Sequence, residues 1–122
     1  MRGQQISIAV HVGDDVAQLR TVTEFHESIV ATVAIEAVTF PEAPGPPVLE
    51  AHIFVVEDHG DAWVVGEGDN DISSDARIAV GGSRFPKDRY TLDEVVSHAE
   101  AMMSLTVAMI VPQGRALVAP QE

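Results

Sequence analysis

A chain of 122 residues that is 46% apolar, with 19 acidic against 7 basic residues and no cysteine, has the make-up of one acidic globular domain, residues 1–122. The length leaves no room for a second core, and the apolar content is too high for a disordered chain. The missing thiols exclude disulfides, thiolate metal sites and cysteine nucleophiles. The N-terminus, Met1-Arg2-Gly3-Gln4-Gln5, begins no signal peptide, and no apolar run suggests a membrane span, so a cytoplasmic location is expected.

In chain order, Ile6, Ile8, Val10 and Val12 alternate with Ser7, Ala9 and His11, the period of a half-buried strand, which Gly13-Asp14-Asp15 ends. Val16, Leu19 and Val22 have helical spacing, while Thr21-Val22-Thr23 favours extended structure. The reading adopted for this stretch is a short helix capped by Asp14 or Asp15. From Ser28 to Phe40, seven of thirteen residues are Ile, Val or Thr, which predicts a strand long enough to bend or bulge. Four prolines in Pro41 to Pro47 cannot continue a ladder and predict a stiff, extended link.

Leu49, Ala51, Ile53 and Val55 form the next alternating set. Asp58-His59-Gly60-Asp61 is a turn, and Ala62 to Glu67 returns as a partner strand whose Trp63 is expected in the core. Gly66 to Asp75 reads as an acidic loop, Arg77 to Gly82 as a short strand, and Ser83 to Tyr90 as the basic cluster, with Arg84, Lys87 and Arg89.

The strongest periodicity lies at Thr91 to Ile110. Leu92, Val95, Val96, Ala99, Met102, Met103, Thr106, Met109 and Ile110 follow the spacing of one helix face. Thr91 and Glu94 make a capping box, and Asp93 and Glu94 suit the positive end of the helix dipole. Pro112 and Gly114 are expected to stop the helix, leaving 113–122 as a partly frayed tail. The fold class is therefore α+β: an antiparallel meander of about four strands plus an N-terminal strand, packed on helix 91–110. Leu105, Val107, Ala108 and Val111 make the last turns apolar nearly all round. Either the N-terminal strand or a second subunit should cover them, the latter giving a homodimer.

Charge is the feature most informative about function. Between Arg20 and Arg77 there is no Lys or Arg but there are twelve acids, so the net charge of −12 sits in the middle of the chain. Such a field repels nucleic acid and anionic membrane and attracts a basic surface. Glu50, Glu57, Asp58, Asp61, Glu67, Asp69, Asp71 and Asp75 are the candidate acidic binding surface.

Catalytic patterns are weak. No serine occupies a nucleophile elbow, Gly81-Gly82-Ser83 opens no helix that could cradle a phosphate, and Asp14-Asp15 and Glu57-Asp58 lie at solvated turns, so no catalytic residue is assigned. Asp69, Asp71, Ser73 and Asp75 alternate like calcium ligands, but Ser74 and Val80 stand where that loop needs glycine and glutamate. Five histidines raise a divalent-metal hypothesis with His26, Glu27, His52 and His98 as ligands, although their spacing matches no zinc motif, and no cofactor is expected.

The stretch Phe25-His26-Glu27-Ser28, the two Val/Ile-rich strands, the Pro-rich link and the Thr-Leu-Asp-Glu helix start resemble a group of short uncharacterised proteins from high-GC Gram-positive bacteria and their phages. There a His-Glu-Ser stretch precedes a small sheet and a Thr-x-x-Glu helix closes the domain. The likeness covers about residues 25–110. Some relatives carry Cys/His residues ahead of the His-Glu-Ser that this chain lacks. The resemblance implies a fold and no activity. The expected function is a non-catalytic acidic binding protein, such as an inhibitor, immunity-type protein or accessory factor, docking on a basic protein. The alternatives are a small metal-dependent or ligand-binding enzyme with a His/Glu pocket, and a phage structural or assembly subunit.

Overall fold

The computed structural model describes residues 5–26, 28–40, 52–68 and 78–118. Six strands, β1 (Gln5–Val12), β2 (Asp15–His26), β3 (Ile29–Thr39), β4 (Ile53–Asp58), β5 (Ala62–Gly68) and β6 (Ile78–Pro86), lie side by side in chain order. Every neighbouring pair is antiparallel. One helix, α1 (Leu92–Val118), crosses the sheet and touches β1 through β5. The α+β class is as expected, with six strands where about five were predicted.

The difference lies in residues 16–26. They form β2 and not a helix, because both edges of this segment are satisfied by ladders: Leu19 faces Ile8 on β1 and Ile35 on β3. The β-branched run Thr21-Val22-Thr23 suits that pleated setting, and tertiary pairing overrides the weak helical spacing. The tight β1–β2 turn places Val12 opposite Asp15, and Gly13 takes the positive φ of 62° that a side chain would resist.

Alternation then sorts the side chains. Ala17, Leu19 and Thr21 of β2 point to the helix side, as do Ala31 and Val33 of β3, Phe54 and Val56 of β4, and Val65 of β5. Two bulges in β3 reset the phase. Gln18 pairs with Ala37 but Leu19 with Ile35, so Glu36 is the extra residue, and Val38 and Phe40 reach the same core as Val33. Ile29 faces Glu57 and Ala31 faces the adjacent Val56, so Val30 is the extra residue there. Ile29 consequently joins a second, smaller cluster with Ala34, Ile53 and Val55, which Ile78 flanks.

The capping box forms as predicted: Glu94 N–H donates to Thr91 Oγ1 at 3.2 Å, and Thr91 N–H donates to Glu94 Oε1 at 2.8 Å. Val95, Ala99, Met103, Val107 and Val111 repeat every four residues and are at most 1% exposed, so one narrow stripe carries the helix onto the sheet. Over Leu92–Gln113 the helix is also long and apolar enough to cross a membrane, contrary to the expectation that no run would be; that stripe is the part it buries against the sheet.

The helix outruns its predicted stop and continues through Pro112 to Val118, so the first part of the expected tail is helical. Val111 is anchored in the core on the turn that carries the proline. Ala108, whose carbonyl loses its donor at Pro112, is exposed, so water can replace the missing bond. The apolar last turns divide in two: Val107 and Val111 are covered by the sheet, while Leu105 and Met109 stand 69% and 70% exposed. β4 begins at Ile53, and β6 runs on to Pro86 where the strand was expected to end at Gly82, so Arg84 of the basic cluster lies on a strand.

Candidate functional site

The candidate acidic surface divides when placed on the fold. Glu50, Asp69, Asp71 and Asp75 lie outside the described residues, as does the Asp69-to-Asp75 ligand pattern. Glu57, Asp58 and Asp61 surround the β4–β5 turn and are engaged there. Glu57 Oε1 lies 2.8 Å from His59 Nε2, and its Oε2 accepts the Ile78 N–H at 3.1 Å. Lys87 Nζ donates to Asp58 Oδ1 at 2.7 Å, and Arg84 donates to Asp61 Oδ1 at 2.8 Å. Two members of the basic cluster thus fold back on the acids. The Arg84–Asp61 pair is largely exposed, so its net worth is about 0–1 kcal/mol. Of the eight acids, Glu67 is exposed on β5 with no ion pair among the described residues.

The Asp58 contact is more tightly built. Gly60, at φ 90°, turns its N–H onto Asp58 Oδ1 at 2.9 Å, while Lys87 Nζ sits 4.2 Å from the centre of the Trp63 ring. Lys87, and after it the Gly60 N–H, holds the Asp58 carboxyl below the usual aspartate range. A lowered carboxyl stabilises the fold above its unfolded pKa, and that contribution disappears as pH falls through the lower folded value. In Lys87→Ala the Asp58 titration is therefore expected to move up toward the ordinary range, and carboxyl-carbon NMR between about pH 2 and 6 reads it. An unmoved titration would mean that Lys87 is not the cause.

Trp63 is partly buried against the core, as foreseen in part, and its Nε1 donates to the Tyr90 carbonyl at 3.2 Å. Phe85 meets Tyr90 edge to face at 5.3 Å and His98 at 5.0 Å. These contacts fix the β6–α1 corner.

Of the proposed metal ligands, His52 and His98 stand apart in the fold. His98 lies on Phe85, which pairs across the sheet with Trp63, itself opposite Asp58 at the far end of β4. His52 precedes β4 at its other end, where its carbonyl accepts the Ile35 N–H at 3.2 Å. Six residues of strand separate those ends, about 20 Å at ~3.3 Å per residue. The side chain of His26 and all of Glu27 are outside the described set. Among the described residues, no three His, Asp or Glu side chains converge as a metal site would require.

A concave site is instead built between β1–β2 and the start of α1, with its carboxylates, Asp93 and Glu100, from outside the acidic middle of the chain. Thr21 and Thr23 face the helix from β2, Ile6 faces it from β1 opposite Thr21, and the helix answers with Leu92, Val96 and a polar flank. That flank is Asp93, Ser97 and Glu100, spaced i, i+4 and i+7, so all three share one side of α1. Between them lies a cleft of about 470 Å³. Thr21 is 1% exposed, and its hydroxyl donates to Glu100 Oε2 at 2.8 Å across the cleft floor. The sequence carried a signal for this flank, a polar stripe beside the apolar one. It became legible only when β2 proved to be a strand, since a helix at 16–25 would not deliver Thr21 and Thr23 to the same face.

No protein-family model, curated protein or solved structure matches the chain.

Proposed function

We propose that this protein is a non-catalytic binding module that docks on a basic surface of another protein. The carrying observation is the segregation of charge: twelve acids and no lysine or arginine lie between Arg20 and Arg77, within a total of −12. Such a field steers a cationic partner and speeds its association. The internal pairs at Asp58 and Asp61 neutralise a small part of it, and the exposed Glu36 and Glu67 lie on the same stretch of chain.

The test is capture from host lysate at low salt, elution in a salt gradient, and measurement of the recovered complex. One basic protein in stoichiometric amount is expected, with affinity falling at least about tenfold between roughly 50 and 300 mM salt as charges become screened. A partner whose affinity is flat over that range removes the electrostatic reading.

A further inference from the structure

We infer that the cleft between β1–β2 and the first turns of α1 receives one lysine or arginine side chain of the partner. This rests on the reading that the partner is basic, and adds to it the place and chemistry of an anchoring contact. Three features of the cleft carry it.

The walls match an alkyl stem. Ile6, Leu92 and Val96 line one part of the space, and Ile6 is 44% exposed at the rim, so an entering stem covers aliphatic surface that otherwise faces water. The polar end matches a cationic head. Asp93 and Glu100 line the cleft with the Ser97 hydroxyl between them on the helix, and no Lys or Arg is among the described residues that line it. Geometry is set in advance. The buried Thr21 hydroxyl binds one oxygen of Glu100, and with no donor on Oε1 among the described residues that oxygen is left for an incoming one, so little side-chain freedom is lost on binding. A charge-assisted hydrogen bond to a tethered carboxylate is stronger and shorter than a neutral one, and a second carboxylate, Asp93, on the same side of the helix adds to the attraction. The volume, about 470 Å³, lies within the range of sites for small ligands, so a single side chain enters without displacing the sheet.

The probe is the capped peptide acetyl-Gly-Lys-Gly-amide, titrated into the full-length, nitrogen-15-labelled protein. Its control carries norleucine, which keeps the stem and removes the ammonium. Saturable amide shifts are expected at Thr21, Val96, Ser97 and Glu100 with the lysine peptide. Binding of the norleucine peptide is expected to be weaker by at least about tenfold. Asp93→Asn combined with Glu100→Gln should weaken the lysine peptide by a similar factor. Glutamine at 100 still offers an oxygen to Thr21, so the melting temperature should hold. Should the double variant unfold, Asp93→Asn alone, at an exposed position, decides the matter by the same readout.

Absence of saturable shifts at the cleft, equal binding of the two peptides, or binding untouched by the folded variants each overturns the inference. The two proposals fail in different ways. Salt-sensitive capture of a basic partner with no lysine response at the cleft removes the anchor and keeps the docking function. A lysine response at the cleft with no salt-sensitive partner keeps the site and removes that function.

Discussion

Met103→Ala is expected to lower the free energy of unfolding by about 2–5 kcal/mol, while Met109→Ala should change it by no more than ~0.5 kcal/mol. The two methionines are six residues apart on α1 and chemically identical. Met103 is 0% exposed at the centre of the stripe against the sheet, and Met109 is 70% exposed on the other side. Truncating the first removes apolar burial and leaves a cavity that the neighbouring strands can only partly close. Against a typical domain stability of about 5–15 kcal/mol, that is a large fraction of the total. Urea unfolding of both variants gives the comparison. Equal losses would mean that the outer face of the helix is also covered, as in a helix-to-helix dimer, and sedimentation of the wild-type protein would then show it.

The second large effect tests the strand that replaced the expected helix. Val16, Leu19 and Val22 would share one face of a helix, and their alanine variants would then be comparably damaging. On β2 they separate: Leu19 is 0% exposed toward α1, while Val16 and Val22 are only partly buried on the opposite side of the pleat. Leu19→Ala is therefore expected to cost about 2–5 kcal/mol, and Val16→Ala and Val22→Ala clearly less, about 0.5–1.5 kcal/mol each. Three similar losses in chemical unfolding would overturn the assignment of residues 16–22 to the sheet.

The site was less legible in the sequence than the fold. The capping box at Thr91 and Glu94, the β4–β5 turn with Gly60, and the alternation from Ile6 to Val12 each depend on neighbours in sequence, and the structure holds them where the pattern puts them. Charge could be counted along the chain but not paired. Lys87 reaches Asp58 across 29 positions and Arg84 reaches Asp61 across 23, so acids that look free in the sequence are partly neutralised in the fold. Thr21 and Glu100 are 79 positions apart, and no local pattern announces that one will donate to the other.

What the sequence determined by itself is what local chemistry and bulk charge determine: an acidic α+β domain, a capped amphipathic helix at Thr91, glycine turns, and strands wherever β-branched residues alternate. What only the tertiary structure decided is everything that depends on a distant partner. Ladder bonds on both edges made residues 15–26 a strand, and the bulge at Glu36 in β3 brought Val38 and Phe40 into phase with Val33. The anchoring of Val111 carried α1 past Pro112, and the crossing of α1 over β1 and β2 opened a cleft floored by the Thr21–Glu100 hydrogen bond. The physical reason is the same in each case. Propensities are worth tenths of a kcal/mol per residue, whereas paired backbone and buried side chains contribute about 1–3 kcal/mol each, so the long-range contacts prevail wherever the two disagree.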